Sequence, residues 1–209
     1  MSGAHPRPLL QPSFQFDWLI GADDPGVAHR LAQETSWALL DRVRSHGDAE
    51  LVERVIAIAD TELMDDIAEL WSASGTDTLA GMLWRLYLVR RIARGDAEGA
   101  AYLFQRGVET LSTIDPVIAG VPIPVEPSGI IALIDDILRG VFSGDLADAF
   151  ERAAAYARLV SAGAVTLADE RESADPYGAG DLTNRAASYA ALGDDLRQAA
   201  HRWRHGRLA

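Results

Sequence analysis

Cysteine and lysine are both absent from the 209 residues. Without cysteine there is no disulfide, no thiolate zinc site, no iron–sulfur cluster and no thiol nucleophile. Without lysine there is no Schiff-base chemistry and no phosphate-loop lysine; all 19 basic residues are arginine. Long apolar runs are lacking too, and a membrane-spanning helix needs about 20 such residues. The amino terminus, MSGAHPRPLL, places prolines at Pro6, Pro8 and Pro12, where a secretory signal would carry its apolar core. The expected location is the cytoplasm. Positive charge is in deficit, with a formal net charge of -12. That surface repels nucleic-acid phosphates and anionic membranes, so neither is an expected partner. No GxSxG, no glycine-rich phosphate loop after a strand and no helix-turn-helix pattern occurs.

What is present is apolar and periodic. Hydrophobic residues make up 48% of the chain, and the mean hydropathy is near zero, the balance of a globule with a real core. The stretch Thr76 to Gly95, TDTLAGMLWRLYLVRRIARG, reads as one helix apolar on nearly every side. Leu79, Met82, Leu83, Leu86, Val89 and Ala93 form its main stripe. Trp84, Leu88 and Ile92 carry apolar surface to the back. A helix of that kind in a soluble chain is normally central. The expected fold is therefore all-α: a single bundle of about seven to eight helices around a buried central helix at about 77–94.

Residues 1–23 read as an irregular, proline-rich arm. In it Phe14, Phe16 and Trp18 alternate with polar residues, as in a short extended piece laid on the bundle. The helical domain is expected over 24–209. Asp24-Pro25 supplies a cap and a first-turn proline, for a helix to about His46 with Ala28, Leu31, Ala32, Thr35, Leu39 and Val43 inward. Residues 49–72 read as one long helix, open to a kink near Asp60-Thr61. Asp96 caps the helix carrying Ala100, Phe104, Val108 and Leu111, where Gly107 allows a neighbour close. The segment 112–127, with Pro116, Pro122, Pro124 and Pro127, is expected to be an ordered non-helical connection, with Ile118 and Ile123 against the core. A helix through Ile130, Ile134, Ile137, Leu138 and Val141 follows. The next starts at Asp145 and is expected to stop at Gly163. Residues 173–180 read as a loop. The last helix is expected from Asp181, its seam running through Gly193, where a stop and a new cap are the alternative.

Four clusters bear on chemistry. Glu62, Asp65, Asp66 and Glu69 lie at helical spacing, with Glu50 and Glu53 upstream. Together they resemble the ExxE…ExxD signature of all-helical nucleotide pyrophosphohydrolases, which implies carboxylates holding magnesium against a pyrophosphate. The gap is too short for a helix, a turn and a return, so a solvated acidic face is the preferred account. His201 and His205 share a helix face but have no evident third ligand, and HExxH is lacking, so no metal is expected there. Arg85, Arg90, Arg91 and Arg94 form the densest positive patch, expected to pair with the chain's own acids. His201, Arg202, Arg204, His205 and Arg207 suit the carboxyl end of a helix dipole. Arg90 falls inside the apolar stripe of its helix and is expected to be buried against one of Asp135, Asp136, Asp66 or Glu69, because buried arginine must be paired.

The segments TDTLAGMLWRLYLVRRIARGD, GVFSGDLADAFERAAAYARLVSAG and LGDDLRQAAHRWRHGRL are similar to a family of small alanine-rich actinobacterial helical proteins. Its members often carry the label DNA-directed RNA polymerase subunit beta. The similarity covers most of the chain from about Leu51 on and rests on tryptophan, arginine and tyrosine in the central helix. It assigns no catalytic, metal or cofactor residue. The expected function is a non-enzymatic protein-interaction or scaffold role with an unknown protein partner and no cofactor. Trp37, Trp71, Trp84 and Trp203 give more large aromatic surface than a small bundle must hide, which makes homo-oligomerisation an expectation. The alternative is a magnesium-dependent helical phosphohydrolase using the carboxylates of 50–69.

Overall fold

A computed structural model describes residues 25–47, 49–58, 67, 69–120 and 125–209. Among these, every regular element is an α-helix and no strand occurs. The expected all-α bundle is what the chain forms. Its helices are α1 (Pro25–His46), α2 (Ala49–Ile58), α3 (Leu79–Gly95), α4 (Ala97–Thr110), α5 (Asp115–Ala119), α6 (Pro127–Ser143), α7 (Leu146–Arg171) and α8 (Pro176–Arg204). A further helical turn at 69–72 precedes α3. No helix among the described residues is long and apolar enough to cross a membrane. The amino-terminal arm, the continuity of 49–72 through 59–66, and Ile123 lie outside the described residues.

Two helices are deeply buried. The first is α3, which packs against α1 and α6 and touches α4 and α8. Thr78 caps it, its hydroxyl accepting from the Gly81 amide, so it starts two residues after the expected 77. The second is α7, which contributes the larger share of the core and packs along α8, α4, α6 and α5. Its inner face is mostly alanine: Ala153, Ala154, Ala155, Ala157 and Ala164 are all buried. Small side chains let the backbones approach closely, so contact is made by many short-range dispersion pairs rather than by bulk. Gly107 of α4 and Gly163 of α7 carry this furthest. A methyl on Gly107 would overlap the Leu159 carbonyl, and one on Gly163 would overlap the Leu103 carbonyl.

That crossing corrects the expected helix stop at Gly163: α7 runs on to Arg171, and the glycine serves packing. The last helix also starts earlier than expected. Asp175 caps α8, its carboxylate accepting from the Gly178 amide, with Pro176 in the first turn. The helix continues through Gly193, which is packed on α7 beside the Ala154 carbonyl and Ala157. The segment 112–127 is not wholly irregular. Residues Asp115–Ala119 form a helical turn with Pro116 at its start, and Pro127 opens α6 in the same way. Proline lacks an N–H that the first turn would leave unpaired anyway, so it starts helices as readily as it breaks them. Ile118 packs against the core as expected. Arg158 of α7 clips α5 down through bonds to the buried Asp115, and Arg152 donates to the Ala119 carbonyl.

The inner face of α1 keeps Ala32 and Val43 of the expected set, with Leu39 packed against the core, and adds Ser36 and Leu40, while Leu31 is 46% exposed. Ser36 tolerates burial because its hydroxyl donates to the Gln33 carbonyl. Thr35 lies at the edge, accepting from the indole of the buried Trp71.

Candidate interaction groove

The helices α3 and α8 meet only lightly and leave a groove of about 260 Å³ between them. Trp84, Leu88 and Ile92 form one wall, at positions i, i+4 and i+8 of α3. This is the back of the helix, opposite the stripe buried against α1 and α6. Ala191 and Leu192 of α8 form the other wall, and Val89 and Tyr189 close the floor. Ile92 is 39% exposed, and Trp84, Leu88 and Leu192 are half-buried. At one rim Arg85 donates to Asp195 at 3.2 Å and to its own helix at the Gly81 carbonyl. The opening is thus apolar with its rim charges paired, the composition of a surface that binds by burial.

Arg90 is 2% exposed, and its Nε donates to Asp135 Oδ1 of α6 at 2.9 Å. Arg94 donates to the other oxygen of the same carboxylate, also at 2.9 Å. Asp135 is one of the four acids the sequence offered. Arg91 donates to the Tyr87 hydroxyl. With Arg85 on Asp195, the arginine cluster of α3 is tied to the protein's own side chains. The basic end of α8 is tied likewise: Arg204 bonds Asp148 and Glu151, and Arg202 donates to the Thr76 carbonyl.

Of the six carboxylates of 50–69, three lie among the described residues. Glu50 and Glu53 are exposed on α2, and Glu69 is exposed near the start of the α3 loop. Glu62, Asp65 and Asp66 lie outside the described residues. Glu53 is engaged by Arg139 at 2.6 Å; that hydrogen bond holds its carboxyl below the usual range, against a small effect of burial. The rings of His201 and His205 are 4.2 Å apart between centroids, both exposed, with His205 Nδ1 2.7 Å from the His201 carbonyl oxygen. Among the described residues no group of three or more His, Asp or Glu side chains is placed to hold a metal.

A second opening, about 320 Å³, lies among Val43, Ala49, Val52 and Phe142. Arg44 crosses it, donating to the Val141 and Gly144 carbonyls with its guanidinium 5.7 Å from the Trp203 ring. It finishes the carboxyl end of α6 and acts as packing. The tryptophan surplus is mostly absorbed in the same way: Trp71 is buried and Trp37 stacks on Trp203 at 5.9 Å. Trp84 is the one of the four that lines the α3–α8 groove.

The α3 wall was visible in the sequence as the Trp84, Leu88, Ile92 row. The α8 wall was not, because Ala191 and Leu192 stand outside the seam through Ala186, Tyr189 and Leu196. Compared with protein-family models, with curated proteins and with solved structures, the chain matches none.

Proposed function

We propose that this chain is a non-enzymatic protein-interaction or scaffold protein of the cytoplasm, and that the groove between α3 and α8 is its contact surface. The observation that carries the reading is the Trp84–Leu88–Ile92 row. It is a line of large apolar side chains, left partly open on a helix whose other faces are packed or ion-paired. Apolar rows at helical spacing in an open groove are what partner segments dock on. Membership of the alanine-rich actinobacterial family, which rests on the three similar segments and on the tryptophan, arginine and tyrosine of α3, belongs to the same proposal. No observation favours the phosphohydrolase alternative, in which Glu53 would have to leave Arg139 to hold a cation.

The test is affinity capture from the source organism with the tagged full chain, read by mass spectrometry, beside Leu88→Asp and Ile92→Asp. A partner held by the wild type and lost from both variants, with circular dichroism unchanged, supports the reading. Equal capture by all three removes the groove, and no specific protein removes the interaction role. Sedimentation of the wild type reports whether that partner is a second copy. Magnesium-binding heat abolished by Asp65→Ala would restore the hydrolase.

A further inference from the structure

Resting on that reading, we propose that the partner segment is an amphipathic helix with an acidic residue one turn beyond its apolar row, and that Arg185 receives that acid. The two walls of the groove run antiparallel. Arg85 meets Asp195 at one end, and Ile92 and Ser188 line the other, one step of seven residues along each helix. On α8 the wall positions Asp195, Leu192 and Ser188 are spaced by three and four, and the next step of three is Arg185. Arg185 therefore continues the groove face, one turn past Ser188. Its partners set it apart. Every other buried or half-buried arginine among the described residues bonds a carboxylate or a backbone carbonyl. Arg185, half-buried, meets only Tyr189, with its guanidinium 6.0 Å from the ring centre.

Charge then decides the partner's chemistry. The Arg85 end of the groove is neutralised by Asp195. At the Arg185 end the nearest acid in sequence on the α3 side, Asp96, is committed to the Gly99 amide at 2.8 Å. A cation without an acid, at the mouth of an apolar groove, selects a partner that brings one. Backbone chemistry decides the partner's conformation. Both walls are helices, whose inner main-chain groups already bond one another. An extended segment laid on Trp84, Leu88 and Ile92 would therefore leave its amides and carbonyls without partners. A helix pairs its own. Anchors at i, i+4 and i+7 reach about 10 Å, close to the roughly 12 Å from Trp84 to Ile92. A small apolar acid fits less well: about 260 Å³ is below the roughly 300 Å³ at which small-molecule sites begin.

The probe is a phage-displayed library of alanine-rich helices about 18 residues long. Apolar residues are fixed at i, i+4 and i+7, and every residue type is allowed one turn to either side. It is selected on the full chain, on Arg185→Gln, on Arg185→Glu, and on Arg42→Gln, which removes the same charge from an exposed site on α1. Asp or Glu should be enriched at one flank on the wild type and on Arg42→Gln. The preference should vanish on Arg185→Gln and turn to Lys or Arg on Arg185→Glu. The winning peptide, synthesised, should lose about fivefold in affinity when its acid becomes the amide, and nothing when Arg185→Gln is the target. No helical binder, no acid preference, or a preference that survives Arg185→Gln overturns the proposal. So does displacement of the peptide by an equal concentration of octanoate, which would make a small acid the occupant. A wild-type dimer that the peptide dissociates would make it a second copy and overturns the proposal too. The groove reading fails separately. Winners that bind Leu88→Asp and Ile92→Asp as well as the wild type remove the groove. Winners lost from both variants but indifferent to Arg185 leave the groove standing and sink the acidic helix.

Discussion

Arg90 keeps its charge at any pH the fold will meet, because a guanidinium does not lose its proton in proteins. Removing that charge from water costs several kcal/mol, and only a carboxylate in direct contact offsets it. Asp135 is that carboxylate, but it is shared: Arg94 holds its second oxygen from the solvent side, 37% exposed. Removing Arg90 therefore leaves Asp135 partly paired. In urea unfolding Arg90→Ala should cost about 3 kcal/mol, the low end for breaking a buried pair. Arg94→Ala should cost under about 1 kcal/mol. Equal losses would mean that the exposed arginine, not the buried one, carries the contact. The tyrosine pair Tyr156 and Tyr189 poses a different residue-scale problem. Both are buried, with rings edge to face at 6.3 Å, and neither hydroxyl has a protein hydrogen-bond partner in bonding geometry. Burial pushes both phenols above their usual value, Tyr156 furthest, where Tyr189 adds to it. A raised folded pKa stabilises fully below the unfolded value of about 10 and loses that contribution as pH rises beyond it. Ultraviolet titration should show two of the five tyrosines ionising only as helicity is lost. Tyr156→Phe forfeits no protein bond, so it should change stability by less than about 1 kcal/mol and move the alkaline edge upward.

At the scale of elements, the α4–α7 crossing is the tightest join, and glycine makes it. Gly163→Ala places a methyl on the Leu103 carbonyl, and backbone cannot swing aside as a side chain can. The helices must separate, and overpacking of this kind costs about 3 kcal/mol. Gly180→Ala, on α8 with open space around it, should instead be neutral or slightly stabilising, since alanine favours helix. Thermal unfolding of the two variants separates packing from propensity. Gly163 also shows why part of the fold was illegible in the sequence. A glycine near the end of an apolar stripe has the same local appearance as a helix stop or as a crossing point. Only the facing backbone, more than fifty residues away in sequence, distinguishes them. The start of α8 was legible in principle. Asp175-Pro176 is the same dipeptide as Asp24-Pro25, hidden because Gly178 and Gly180 nearby read as a loop. In α1 the sequence marked Ala32 and Val43 but took Leu31 as inward and missed Leu40, because neighbouring apolar residues leave the edge of the stripe ambiguous; Leu40 is buried and Leu31 is not. Burial of Arg90 could be read from its wheel position. The choice among four acids could not, because it depends on where α6 crosses α3.

Across the whole molecule, α4, α5, α6, α7 and α8 form a dense block, and α1, α2 and α3 lie on it chiefly through α6. The light contact between α3 and α8 leaves the groove, so something else must hold the start of α3 to the block. The last residues do so. The Ala209 amide donates to the Asp77 carbonyl at 3.0 Å, and the Leu79 amide donates to the Ala209 carbonyl at 2.7 Å. Arg202 of α8 reaches the Thr76 carbonyl at 2.9 Å, and Leu208 is buried beside them. The Leu79 bond matters most, because the first amides of a helix have no partner within it. Leu208→Ala removes the apolar anchor and should destabilise by about 2 kcal/mol, at the low end for a leucine truncation because the site is near the surface. Amide hydrogen exchange gives the sharper readout. In the wild type the Leu79 amide should be protected well above a fraying helix end. In Leu208→Ala that protection should fall by at least about tenfold, while amides in the middle of α7 change only by the global loss of stability. A uniform loss across α3 and α7 would show that the tail stabilises the bundle as a whole and is no local clasp. A loss confined to the start of α3 would make the 207–209 segment a local clasp on that helix end.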